Sequence, residues 1–192
     1  MRPNEHPFIR LVAIVFVATG MLMASDGLYI WSKAAYGQML LEKSWERTLV
    51  NSRPDKPWSW ADISALIRMN IPHLNHAAVV LDGANGEALA WGPGHMPGTP
   101  LPGDPGISII AGHRDTHFAV LGKLVVGDDI FIERYDGKQL KFRVRERKVV
   151  NANAPDLGAK TEGSVLALVT CWPLDALKAG GDERLVVLAD QI

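Results

Sequence analysis

Three residues of this chain have the types that acyl transfer uses, and they occur in the order His113, Cys171, Arg184. Cys171 is the only cysteine in 192 residues. A thiolate is a strong nucleophile, and its reactivity depends on where the side chain is presented. Cys171 closes the apolar run VLALVTC (165–171) and is followed at once by Trp172-Pro173. Proline cannot continue a central strand, so the chain leaves the sheet there. The thiol is therefore expected at a strand end, where the core opens to solvent. Without that context, a lone cysteine is more often a small buried hydrophobe. His113 ends a second apolar run, ISIIAGH (107–113), after Ala111 and Gly112, whose small size allows close backbone approach. An imidazole there can give and take protons near neutral pH. Arg184 opens a third run, RLVVLA (184–189). It is either an ordinary surface arginine or a fixed cation facing a developing oxyanion or a substrate carbonyl.

Other chemistries fit less well. His113 and His117 are four residues apart, but the spacing lacks the glutamate of a helical zinc motif. A single cysteine excludes an intramolecular disulfide and a multi-cysteine zinc site. No metal and no cofactor are expected. A net charge of −1 gives no basic excess for nucleic acid and no acidic tail.

The elements that must position these residues are mostly strands. Eighteen glycines and twelve prolines suggest many turns. Short apolar or alternating runs occur at 65–71, 77–81, 107–112, 129–135, 138–150, 165–171 and 184–189. Asp136-Gly137 separates two of them and predicts a two-residue hairpin. HFAVLGKL (117–124) has helical spacing. Many strands with few helices predict a closed or sandwich-like β domain.

The N-terminal part differs. Leu11 to Ala24 carries no charge, and the apolar character resumes in Leu28–Trp31. Fourteen residues are short for a span, which needs roughly 20, so the predicted anchor extends through Ser25-Asp26-Gly27 with Tyr29 and Trp31 at the interface. A signal peptide cut after Ala24 would place Leu22 where a small residue is wanted. Arg2 and Arg10 precede the run, and the short basic tail favours an N-inside, C-outside orientation. Residues 28–51 contain no proline, and Leu28, Trp31, Ala35, Met39 and Trp45 recur at near-helical spacing. SRPDKPWSW (52–60) reads as a linker. The expected organisation is an anchor, helical stalk and linker over 1–60 and a catalytic domain over 61–192.

The blocks AGHRDTHFAVLGKL (111–124), LVTC (168–171) and ERLVV (183–187), in this order, resemble the sortase family. GPGHMPGTPLPGDPGISIIAGHRDT (92–116) is similar to the approach to the sortase histidine in classes D and E and their Gram-negative relatives. RMNIPHL (68–74) and GDDIFI (127–132) resemble further strands of the family. The likeness covers about residues 62–190. The family's Thr-Leu-x-Thr-Cys reads Ala167-Leu168-Val169-Thr170-Cys171 here, with the first threonine replaced.

The resemblance implies an eight-stranded β-barrel with short helices, preceded by an N-terminal transmembrane helix. It implies a cysteine transpeptidase that cleaves a C-terminal sorting motif of a secreted or membrane-tethered protein and transfers the new carboxyl to an amine acceptor. Cys171 is then the nucleophile, His113 the proton carrier and Arg184 the cation at the oxyanion or motif backbone. Thr170 is expected as a substrate-binding contact. Asp115 and Asp182 are weaker candidates for orienting partners. The implied location is single-pass in the inner membrane with a periplasmic catalytic domain. Specificity is expected in the loops 92–106 and 172–183.

Three other readings compete. An L,D-transpeptidase uses a Ser-x-Gly-Cys-Arg type block, whereas Val169-Thr170 precede and Trp172 follows the cysteine here. A papain-like peptidase places cysteine before histidine. A non-catalytic, membrane-anchored peptide-binding β-domain would leave Cys171 structural.

Overall fold

The alternating runs pair into a closed barrel in the computed structural model, which describes residues 7–153, 163–176 and 180–192. Arg2, and residues 177–179 of the 172–183 loop, lie outside the described residues. The strands are β1 (Ala65–Ile71), β2 (His76–Asp82), β3 (Gly94–His95), β4 (Gly106–Ala111), β5 (Asp129–Arg134), β6 (Gln139–Asn151), β7 (Ser164–Cys171) and β8 (Glu183–Gln191). Their order around the barrel is β1-β2-β3-β4-β7-β8-β6-β5. The two central strands of the candidate site, β4 and β7, run parallel, and β7 pairs antiparallel with β8. Closure removes open edges, so every strand has two partners.

One face of each strand fills the barrel. Ile67, Met69, Ile110, Phe142, Leu168 and Val187 belong to a single buried cluster. Phe118, Leu121 and Leu124 plug it from the β4–β5 connection. That connection forms a 3-10 turn over Ala119–Lys123 instead of the longer helical segment its spacing suggests. Two elements had no signal in the sequence, the short helix α2 (Gly86–Trp91) and the two-residue β3. β3 depends on Gly94, because a Cβ there would lie 2.1 Å from the Gly83 carbonyl oxygen. The β5–β6 turn is one residue longer than expected. Arg134 N–H donates to the Lys138 carbonyl at 2.9 Å, and Gly137 takes a φ of 79°. A turn followed by a left-handed glycine suits the right-handed twist of the flanking strands.

The long connection that leads into β4 is stapled by a buried cation. Arg134 donates to the Pro102 carbonyl at 3.1 Å and to Asp104 and Asp136 at 2.9 Å each. Pairing with two carboxylates offsets the cost of burying the guanidinium.

Helix α1 spans Pro7–Asn51. The chain divides into two compact units, Met1–Met39 and Leu40–Ile192. In the first unit α1 is long and apolar enough to cross a membrane. Its hydroxyls are satisfied within the helix: Thr19 donates to Val15, Ser25 to Leu22 and Ser32 to Tyr29. In the second unit the last turns of α1 pack on the barrel. Leu41 and Trp45 join Ile63, Ala65, Val79 and Leu81 in a second buried cluster. Ser44 donates to the Asp55 carbonyl at 2.6 Å, and Thr48 Oγ1 accepts from Asp55 N–H at 2.9 Å, which folds the 52–60 segment back onto the helix. Trp45 is only 2% exposed. Trp45→Ala is therefore expected to cost about 3–5 kcal/mol of stability, read as a lowered denaturation midpoint of the full chain in detergent.

Candidate active site

The β-ladder registers pair two of the sequence-predicted residues and lead the chain toward the third. Cys171 and Arg184 are direct partners across β7 and β8. Directly opposed residues of an antiparallel pair point to the same face, with Cβ atoms about 4.5–5.5 Å apart. In the parallel β4–β7 pair, Ala111 lies level with Val169. Gly112 N–H continues the ladder by donating to the Val169 carbonyl at 3.1 Å. The parallel pairing ends at Ala111 and Val169, each two residues before His113 and Cys171 respectively. β7 and β8 thus supply Cys171 and Arg184, and the connection that leaves β4 supplies His113.

Alternation decides which side of the barrel they face. Leu166 and Leu168 point into the barrel, whereas Val165 and Ala167 belong to a separate cluster with Val186 and Leu188. Cys171 shares the parity of Val165, Ala167 and Val169, and Arg184 that of Val186. The thiol therefore stands on the outer face of the sheet, not at the open end of the core. It is half-buried and free of any disulfide.

Thr170 has the opposite parity. It is 2% exposed, and its hydroxyl donates to the Gly112 carbonyl at 2.8 Å. This bond ties the residue before Cys171 to the residue before His113. Gly112 must be glycine for that approach, because a Cβ would lie 2.7 Å from the Phe118 ring. Past it the chain turns sharply. The His113 carbonyl accepts from Phe118 N–H at 3.0 Å, and the His113 side chain is left exposed.

Arg184 is half-buried. One terminal nitrogen, Nη1, donates to the carbonyls of Gly181 at 2.7 Å and Glu183 at 2.8 Å. These bonds fix the guanidinium at the start of β8 while Nε and Nη2 make no hydrogen bond among the described residues. Beside it lies an apolar hollow of about 240 Å³, walled by Met96, Ile109, Val150, Val169 and Val186, with Arg184 on its border.

Two further histidines lie nearby, His117 close to His113 and His76 close to His117. Burial holds His117 below the ordinary histidine range, and the nearby His76 and His113 add to the effect. Burial also lowers His76. Both favour the neutral form, so His117 adds little positive charge beside His113 near neutral pH. No group of three or more His, Cys, Asp or Glu side chains suited to a metal ion occurs among the described residues.

One residue at the site was not singled out by its sequence context. Arg114 is 4% exposed and bonds to the segment that follows Cys171. Its only signal was the Asp115 next to it, an acid that can pair with a buried cation. Asp115 Oδ1 accepts from Arg114 Nε at 2.8 Å, and this bond holds the Asp115 carboxyl below the usual carboxylate range. Asp182 is exposed ahead of β8, and its carbonyl accepts from Ala152 N–H at 2.6 Å.

Comparison with known proteins agrees with this fold. A model of the sortase domain matches residues 69–192. The chain is 27% identical over 106 residues to sortase D of Bacillus subtilis, a match that spans 55% of this chain and 53% of that protein. It superposes on sortase A from Corynebacterium diphtheriae with a TM-score of 0.62 and 28% identity, covering 69% of this chain and 63% of that one. A sortase D transpeptidase of Clostridium perfringens shares the fold with a TM-score of 0.66 at 22% identity, over 82% of this chain and 99% of that one. A closed eight-stranded barrel in which β4 and β7 run parallel, with a long apolar N-terminal helix, defines the class of fold. Within that class, the chain belongs to the sortase family. It spans about half the length of the curated sortase D that it matches.

Proposed function

We propose that this chain is a membrane-anchored cysteine transpeptidase that cuts a C-terminal sorting motif and joins the new carboxyl to an amine. The observation that supports this reading is the register, which sets Cys171 directly opposite Arg184 and pairs the end of β7 with β4, the strand that leads to His113. In the first half-reaction the thiol proton passes to His113, and Cys171 Sγ attacks the scissile carbonyl. The C–S bond forms, the C–N bond breaks, and His113 returns the proton to the leaving amine. In the second, an acceptor amine attacks the thioacyl carbon and gives a proton to His113. A new C–N bond replaces the C–S bond, and the thiol is regenerated.

The two uncommitted nitrogens of Arg184 face the developing oxyanion or a carbonyl of the motif. The apolar hollow beside Arg184 suits apolar side chains of the motif. Thr170 contributes to substrate binding through the Gly112 bond that holds the His113 turn, because its hydroxyl is already committed inward. Functionally, residues 1–60 anchor and 61–192 catalyse. The apolar part of α1 holds the enzyme in the inner membrane with the barrel on the periplasmic side. Confinement beside a membrane-tethered substrate raises the effective concentration of both.

The test is to incubate the full chain in detergent with a peptide library and hydroxylamine, and to detect hydroxamates by mass spectrometry. Hydroxylamine intercepts a thioacyl intermediate, so peptides that end in a hydroxamate support the reading. A library left wholly intact opposes it. On the best peptide, Arg184→Ala is expected to lose about 10²–10³-fold in kcat, with partial recovery in Arg184→Lys.

A further inference from the structure

The two chain segments that leave the reactive residues are joined by one buried side chain. Arg114 follows His113 directly. Its Nη1 donates to the Pro173 carbonyl at 2.8 Å, and its Nη2 donates to the Ala176 carbonyl at 2.8 Å. Pro173 and Ala176 lie in the segment that begins one residue after Cys171. We propose that Arg114 is a positioning residue for the acyl-transfer reaction, bracing the segment Trp172–Ala176 against the His113 turn so that nucleophile and proton carrier keep one fixed spacing.

The geometry suits arginine and little else. A guanidinium is planar, carries five donors and stays charged when buried. Here the two terminal nitrogens reach carbonyls three residues apart, and Nε and Nη2 pair with Asp115 at 2.8 and 3.3 Å. Asp115 supplies the counter-charge from the solvent side, which keeps a buried cation affordable. Lysine has one charged nitrogen and cannot span both carbonyls in that fork.

The braced segment is also seated from the other side. Trp172 and Leu174 pack against the barrel core. Leu174 lies over Gly122, where a Cβ would come within 2.8 Å of its Cδ1. Trp172 N–H donates to the Glu183 carbonyl at 3.1 Å, next to Arg184. The segment is thus caught between core packing and the Arg114 fork. A surface loop without such ties would let Cys171 drift from His113, and a displacement of about 1 Å at reacting groups can cost 10²-fold in rate.

This inference rests on the transpeptidase reading, and the test separates the two. Arg114→Ala and Arg114→Lys are prepared in the full chain in detergent. Three quantities are read: kcat and KM on the best hydroxamate-forming library peptide, amide hydrogen exchange over Leu174–Ala176, and the melting temperature. Arg114→Ala is expected to lose about 10–100-fold in kcat with KM within about threefold. Exchange at Leu174–Ala176 is expected to rise, and millimolar guanidinium to restore part of kcat. If Arg114→Ala does not fold, Arg114→Lys decides, with the same loss of kcat and the same rise in exchange. Wild-type kcat and exchange in the folded variant overturn the proposal. So does a loss of kcat that follows melting temperature alone, with no guanidinium rescue. If the wild-type chain turns over no peptide, the transpeptidase reading fails, and the exchange arm still reports whether Arg114 holds the segment.

Discussion

Cys171→Ala is expected to abolish hydroxamate formation, a fall of roughly 10⁴-fold or more, while the barrel remains folded. Removing a nucleophile eliminates the covalent route, and only positioning and electrostatic stabilisation remain. The substitution deletes one sulfur from a half-buried position at the end of β7, outside the barrel core. The Thr170–Gly112 bond and the β7–β8 ladder do not involve the thiol. Stability should therefore change by about 0.5–1 kcal/mol at most. Because the chain has no other cysteine, intact-mass spectrometry after treatment with an alkylating agent gives a second readout. One adduct is expected on the native wild-type chain and none on the variant. Turnover by the alanine variant would remove Cys171 from the mechanism. A native wild-type thiol inert to the reagent would favour a structural cysteine.

His113→Ala is expected to lower kcat on peptide substrates by about 10²–10⁴-fold, the usual range for a positioned proton carrier. The side chain is exposed at the head of its turn, and the turn is held by the His113 backbone carbonyl. Alanine keeps that carbonyl, so the melting temperature should hardly move. The decisive comparison uses a nitrophenyl ester of the same acyl group. An amine must be protonated to leave, whereas a nitrophenolate leaves without a proton. The ester should therefore lose less rate than the peptide in His113→Ala. Equal losses on both substrates would mean that His113 does not donate to the leaving group, and His117 or His76 would be examined next.

The two variants probe features of different legibility. Cys171 and His113 stood out because each ends an apolar run whose next residues cannot stay in the sheet. Strand ends of this kind are local events, written in a few adjacent residues. The same holds for Asp136-Gly137, where only the length of the turn changed on folding. β3 was invisible because two residues carry no period, and its existence depends on how closely Gly94 can approach Gly83. The last turns of α1 looked like a stalk continuing from the membrane. Leu41 and Trp45 instead belong to the body, since their burial requires β1 and β2 to be in place. Arg114 was hidden for the same reason. Next to His113 and Asp115 it reads as a solvated charge, and only the fold brings Pro173 and Ala176 to it.

By itself, the sequence determined the parts: which runs become strands, where they stop, and which thiol, imidazole and guanidinium sit near their ends. Those properties depend on neighbouring residues and on the two-residue period of a strand. Only the tertiary structure decided that the parts meet. Strand order and register are long-range choices, made by packing the whole barrel, and a slip of one residue in β7 would turn Cys171 inward and Thr170 outward. The parallel β4–β7 pairing and the Cys171–Arg184 partnership settle that choice, and the outer-face site follows from it.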